Sequence, residues 1–542
     1  MSAAKPKMPT KAELIQLQKL YRTDEKIGER LGGVPAYLVA YWRRKKGIPK
    51  HSVPKFSEKE VRSLWERFGD DDACGLELGI SKAAFYNWRR RYGIKEKPAF
   101  LKLEQLELSL PGLTPPRKTA SLWGEMTIGQ KILARAAGAE KVKAHETVEV
   151  EPDLVVSHGN TAEIIRGFRE GDSELVWNPA KVLVGLSGCT VGEDSGSAET
   201  VREIREFAAR QRFRSCYDFS EGAAYQVALE NGQILPGMLS LGTDQSIAAL
   251  GCVSGLGLRV SQDTLVEVWS GGLFSVEVPE SIRIDIAGRR ARGVYAKDIA
   301  LSLLQRLGPG GAEGRVIEFF GSSVSQMGIS ERFTLTRMMP ALGCVGVTCP
   351  YDSATRRYLT GRSATTYAPL APDKNAIYAD IYQTNVEQLT PLLAGPNTLE
   401  KVRPVTECEE LPVQLIVLGT CTNGRFDDLR IAAEILKGKR VNADCRLLVY
   451  PASRTVYLEA LKKGLIRILA EAGAIIMPPG CGSGCHPSWA AVGKGERCLS
   501  TGAVMDLGGL SADGAEVYLC SPATAAASSL NAAISNPVRF MG

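Results

Sequence analysis

A chain of 542 residues is too long for a single hydrophobic core and is expected to fold as several domains. Its composition, 44% hydrophobic and 23% charged, is that of a folded soluble protein, and no apolar run reaches the roughly 18–20 residues of a membrane span. The net charge of +6 is uneven: residues 1–110 hold 23 Lys/Arg against 14 Asp/Glu, a balance of +9, so a polyanionic partner is expected there. The 13 cysteines are odd in number and scattered, which excludes complete pairing and points to reduced thiols in a cytoplasmic protein. The N-terminal stretch has no apolar core of the kind a secretory signal needs.

The first predicted elements form a repeat. Leu17, Tyr21, Gly28 and Leu31 match Leu64, Phe68, Gly75 and Leu78 at an offset of 47; beyond one extra residue near Gly33, Trp42, Arg43, Arg44, Gly47 and Ile48 match Trp88, Arg89, Arg90, Gly93 and Ile94 at 46. Each copy, 1–50 and 51–98, reads as three short helices. The second is entered through a polar cap (Thr23-Asp24 or Asp70-Asp71-Asp72), and the third follows a turn at Gly32-Gly33 or Gly79-Ile80-Ser81. The third helix of copy two spaces Phe85 and Trp88 as core anchors, leaving Lys82, Tyr86, Asn87, Arg89, Arg90 and Arg91 for outer faces; Arg43 and Arg44 are the counterparts in copy one. This pattern is similar to the helix–turn–helix of transposase-type and homeodomain-like proteins. The similarity implies that residues 1–98 bind DNA, with arginines on phosphates and Tyr86 and Asn87 nearer base edges. The alternative is a protein-docking module, because basic residues also complement a helix C-terminus.

Residues 99–125 contain Pro111, Pro115 and Pro116, show no period and read as a linker. Beyond it, β-branched runs (DLVVSH, KVLVGLSG, SIRIDIAG, RVIEFFG, VQLIVLG, CRLLVYPAS) alternate with amphipathic stretches such as DDLRIAAEILKG. The alternation predicts an α/β body with parallel sheets, divided at 126–250, 251–400 and 401–542, preceded by the small all-α unit.

MTIGQKILARAAG (126–138), LPGMLSLGTDQS (235–246), GVYAKDIALSLLQRLG (293–308), LGTCTNGRFDDLRIAAEILKG (418–438), PPGCGSGC (478–485) and YLCSPATAAAS (518–528) occur in this order along the body. They resemble the large subunits of isopropylmalate dehydratase and homoaconitase in the aconitase family. That resemblance implies a three-domain body, a separate small subunit acting as a swivelling domain, and a [4Fe–4S] cluster on three thiolates with one iron open as a Lewis acid. The matching thiols are Cys421 and Cys481. The third family position falls on Gly484, with Cys485 one residue later, so Cys421, Cys481 and Cys485 are the expected ligands.

Departures from the family pattern gather at its catalytic positions. An Asp-His pair aligns with Leu186-Ser187, a histidine becomes Tyr225, and Gly-Thr-Asp-Ser-His-Thr becomes Gly242-Thr243-Asp244-Gln245-Ser246-Ile247. Cys-Asn-Met-x-x-Glu becomes Thr336-Arg337-Met338-Met339-Pro340-Ala341, and an arginine-bearing stretch becomes Ala503-Val504-Met505-Asp506. As lone histidines, His158 and His486 read as structural. These losses predict a DNA-binding regulator or sensor without standard hydro-lyase activity. The alternative is an iron–sulfur hydro-lyase on a hydroxy-carboxylic acid with altered residues, among them Asp244 and Tyr225.

Overall fold

The computed structural model describes residues 8–21, 24–48, 56–68, 70–78, 82–94, 125–171, 173–186, 195–363, 365–482, 492–503 and 514–541. The chain divides into two units, Met1–Arg117 and Lys118–Gly542. Among the described residues no helix is long and apolar enough to cross a membrane.

The first unit holds two three-helix copies: α1 (Lys11–Tyr21), α2 (Asp24–Arg30) and α3 (Ala36–Lys45), then α4 (Glu58–Phe68), α5 (Asp71–Glu77) and α6 (Lys82–Arg91). Both begin with the same capping box, Thr10 with Glu13 and Ser57 with Glu60, in which the glutamate accepts from the cap N–H at 2.7 Å. Each buries its own small core: Leu14, Ile27, Val39, Trp42 and Ile48 in one; Val61, Cys74, Phe85 and Ile94 in the other. Trp88 is half-buried, stacked on Tyr92, where Trp42 is buried. Gly28 lets α2 meet the following turn, since a β-carbon there would lie 2.0 Å from the Val34 carbonyl oxygen.

The second unit is built on three larger sheets. A five-stranded parallel sheet runs Ser215–Tyr217, Val182–Gly185, Leu154–His158, Leu239–Gly242, Leu256–Arg259 in spatial order. Its strands are continuous apolar runs because helices cover both faces; Leu239–Gly242 is buried throughout. A four-stranded parallel sheet follows, ordered Gly346–Thr348, Val316–Phe320, Ser281–Ala287, Asp380–Asn385. The third sheet has seven strands, with a parallel core of Glu516–Leu519, Arg497–Ser500, Leu415–Gly419, Arg446–Tyr450 and Ile475–Ile476, and Leu392–Ala394 and Val402–Pro404 joining antiparallel at its edge. The first sheet extends past residue 250 and the third begins before 401, because their edge strands lie just across those positions in the chain.

The sheets are tied by close backbone approaches. Gly222 bridges Ser453, and a β-carbon at Gly222 would sit 2.5 Å from the Ser453 Cα. Cys349 N–H donates to the Gly251 carbonyl at 2.9 Å.

Candidate functional site

Parallel sheets bind ligands outside the carboxyl ends of their strands, where strand order reverses. In the five-stranded sheet that reversal lies between Leu154–His158 and Leu239–Gly242, because the chain builds outward from the first strand on one side and then crosses to the other. His158 ends one strand, and Asp244 follows the other. In the seven-stranded sheet the reversal lies between Leu415–Gly419 and Arg497–Ser500, and Cys421 and Thr501 follow those strands.

Asp244 is a hydrogen-bond hub. It caps the 3-10 helix Gln245–Val253 by accepting from Ser246 N–H at 2.6 Å. Its other oxygen accepts the Tyr225 hydroxyl at 2.6 Å and faces His158 Nδ1 at 3.3 Å. His158 Nε2 lies 3.6 Å from Cys481 Sγ. Burial works against charge here, but the contacts of His158, the Tyr225 hydroxyl and the nearby Arg337 guanidinium outweigh it and hold the Asp244 carboxyl below its usual range. Burial likewise opposes a charged His158; Cys481 and Asp244 outweigh it and raise the imidazole well above its ordinary value. Tyr225 is raised, first by burial and then by Asp244, so it stays a donor. Gly185 makes room for this packing: its missing β-carbon would lie 2.4 Å from Ala224 Cβ and 3.5 Å from His158 Cδ2.

The two thiol-bearing turns touch. At Gly419 φ is +116° and a β-carbon would lie 2.0 Å from the Tyr450 carbonyl oxygen; Thr420 follows at φ +66°, a strained value for a β-branched residue. The strain is held by Gly419 N–H donating to Thr501 Oγ1 at 2.8 Å, and by the Arg425 guanidinium donating to the Cys421 carbonyl at 3.3 Å and the Thr422 carbonyl at 2.5 Å. From the other side Gly482 meets Thr420, where a β-carbon would lie 2.8 Å from Thr420 Cγ2; Cys481, which precedes it, is buried.

Of the expected ligands, Cys421 and Cys481 therefore sit on contacting turns, whereas Cys485 lies outside the described residues, as does His486. Among the described residues no group of three or more His, Cys, Asp or Glu side chains is arranged to hold a metal ion. Two soft thiols over parallel-strand ends fit two of the three positions an iron–sulfur cluster takes. Asp244 and Tyr225, expected as catalytic, are in contact. His158, expected as structural, joins them; its position at the carboxyl end of a predicted parallel strand was the signal available in the sequence.

The arginines of the first unit divide. Arg43 donates to both oxygens of Asp24 at 3.1 Å and to the Ile48 carbonyl at 3.0 Å. Arg89 repeats this with Asp71 at 2.7 and 2.8 Å and the Ile94 carbonyl at 2.9 Å. The expectation that Arg43 and Arg89 face outward is corrected: each closes a third helix onto the aspartate that begins the second. Arg44, Tyr86, Asn87, Arg90 and Arg91 are exposed, and the Lys82 side chain lies outside the described residues.

A model of the aconitase family (aconitate hydratase) matches residues 189–410 and 399–532. The chain is 35% identical over 416 residues to 3-isopropylmalate dehydratase large subunit 1 of Methanopyrus kandleri, covering 77% of this chain and 99% of that protein. It is 36% identical over 414 residues to the probable 3-isopropylmalate dehydratase large subunit of Methanothermobacter thermautotrophicus, covering 76% and 99%. It is 34% identical over 386 residues to the probable methanogen homoaconitase large subunit of Methanosarcina mazei, covering 71% and 98%. These relatives overturn the expectation of a DNA-binding regulator without hydro-lyase activity. That expectation weighed the histidines lost at each motif and took His158 as structural, whereas the fold sets it against Asp244 and Cys481. The chain belongs to the aconitase family.

Proposed function

We propose that this chain is the large subunit of an iron–sulfur hydro-lyase that interconverts a hydroxy-carboxylic acid and its unsaturated dehydration product, working with a separate small subunit. The observation that carries this reading is the convergence of His158, Asp244 and Tyr225 on Cys481, beside the Cys421 turn. Cys421, Cys481 and Cys485 would hold the cluster. When bound, it supplies a Lewis-acidic iron for the substrate's hydroxyl and carboxylate. The chain's own residues supply the proton for the leaving hydroxyl, and the proton lost from the neighbouring carbon passes to a separate base outside this cluster. Asp244 holds the imidazole by Nδ1, Cys481 and Asp244 together keep it charged, and its Nε2, set against the Cys481 thiol, carries the proton that goes to the departing hydroxyl and returns in the reverse direction. Tyr225 fixes the carboxylate. Arg337, a buried cation whose charge reaches Asp244 and Tyr225, stands where relatives of this kind carry asparagine, and suits the substrate's carboxylate. The scattered cysteines, odd in number, support a reducing, cytoplasmic setting for this activity.

The test is anaerobic purification with iron and sulfide analysis and a visible spectrum. Brown protein that loses its colour on Cys421→Ala supports the reading; colourless, iron-free protein after reconstitution removes it.

Duplex DNA as a partner of residues 1–98 is a separate proposal about an appendage to the enzyme. It rests on the exposed Arg44, Tyr86, Asn87, Arg90 and Arg91 of α3 and α6. Salt-dependent binding of the full chain that weakens in Arg90→Ala/Arg91→Ala supports it, and unchanged binding in that variant ends it.

A further inference from the structure

A cavity of about 500 Å³ opens outside the carboxyl ends of two strands of the four-stranded sheet, Ser281–Ala287 and Val316–Phe320. None of His158, Tyr225, Asp244, Cys421 or Cys481 lines it. Its volume is in the range of small-molecule sites, and it lies one strand away from the reversal of this sheet, which falls between Ser281–Ala287 and Asp380–Asn385.

The walls carry an excess of positive charge. Four arginines, Arg289, Arg290, Arg292 and Arg430, line the cavity against Glu331, Asp427 and Asp428, while the Lys297 ammonium turns from its wall to buried carbonyls. Glu331 is already matched by an ion pair with Arg290, and Asp427 by one with Arg430. Asp428 is matched by Arg425, which lies outside the cavity lining, so Arg289 and Arg292 are the wall's excess charge. Three helices of ten residues or more, Ala296–Leu307, Ile329–Met338 and Phe426–Leu436, also begin at this cavity and turn their N-terminal ends to it. Arg289 and Arg292 are exposed at the rim, Arg292 donating to the Met541 carbonyl, a backbone contact that an entering anion would compete for.

We propose that this cavity is a second ligand site, distinct from the reaction site, for a small organic or inorganic oxyanion of more than one negative charge. Carboxylates and phosphates share the chemistry it recognises. Its occupant also touches the reaction site's supports. Asn423 lines the cavity two residues from Cys421, and Thr334, one helical turn before Arg337, does the same. Lys297 reaches from the wall to the carbonyls of Thr501 and Gly502, beside the strand reversal that carries Cys421. Occupancy is thereby coupled to the position of the Cys421 turn, as in an effector site.

The proposal does not rest on the hydro-lyase reading, and its test reads binding alone. Citrate and pyrophosphate are titrated calorimetrically into the purified full chain, the Arg289→Glu/Arg292→Glu variant and the Arg337→Asn variant. Binding to the wild type that weakens at least about tenfold in the double variant, and is unchanged in Arg337→Asn, supports the site. A response to citrate alone makes the ligand a carboxylate, and a response to pyrophosphate alone makes it a phosphate. No binding of either anion, or binding that survives Arg289→Glu/Arg292→Glu, overturns the proposal. So does binding lost only in Arg337→Asn, which would put the anion in the reaction site.

Discussion

The N-terminal repeat and the strand-end cluster of the body both use buried charge, to opposite ends. In the repeat one arginine meets one aspartate and one carbonyl, and the same arrangement recurs in both copies, Arg43 with Asp24 and Arg89 with Asp71. Each guanidinium nitrogen has a local acceptor, so the charge is a strut. In the body, His158, Asp244, Tyr225 and Cys481 come from four separate segments, and the imidazole is held by one nitrogen while the other turns to a thiol. Charge that satisfies itself within a motif braces a fold; charge assembled from distant strands, with a proton carrier at its end, is equipped for chemistry.

The largest effect expected on the body side is from Gly419→Ala. The left-handed backbone and the 2.0 Å approach to the Tyr450 carbonyl leave no room for a methyl group, and a loss of about 3–5 kcal/mol is expected in denaturant unfolding. A variant as stable as wild type would mean the Cys421 turn is not built as described. On the repeat side, Arg43→Ala and Arg89→Ala each leave a largely buried aspartate unpaired. Each should destabilise its own copy by roughly 3 kcal/mol. Proteolysis or helix loss confined to the altered copy would sharpen the comparison, while unchanged stability with altered ligand binding would make these arginines contacts instead of struts.

Removing only the Tyr225 hydroxyl should do less. Tyr225→Phe deletes one donor to an ionised carboxylate, worth about 1.5–3 kcal/mol, and should lower turnover by one to two orders of magnitude with the fold intact. A smaller signal comes from Asp298, a buried carboxyl that accepts the Tyr295 and Leu392 N–H groups and is pushed up to about 7 by burial. Because its folded value exceeds the unfolded one, its contribution is fully present below about pH 4 and is lost as the pH rises toward 7. Denaturation measured across that interval should show stability falling with pH, and Asp298→Asn should flatten the slope; an identical slope in the variant would assign it to other groups.

What the sequence made legible follows the same division. The offset of the two copies located their matching arginines, but spacing along α3 and α6 cannot say whether an arginine turns outward or back to the start of the preceding helix. The motifs around Cys421 and Cys481 were readable because each lies within a short contiguous turn. His158 was read as structural, because it lies 86 residues from Asp244 and 323 from Cys481 and only its place at the end of a predicted strand pointed to the site. Arg337 was hidden for the same reason: it counts as a lost asparagine in its motif, while its neighbours lie on another sheet.

The central claim is that a hub of His158, Asp244 and Tyr225 serves a hydro-lyase. It is tested most directly by following the ultraviolet absorbance of the conjugated acid formed from isopropylmalate or homocitrate, using reconstituted full chain with a small subunit of the same family, as wild type and as His158→Asn. The account predicts turnover by the wild type and a fall of about 10²–10⁴-fold in kcat in the folded variant. Turnover that is indifferent to His158, or none with either acid from a protein that carries its cluster, would contradict it.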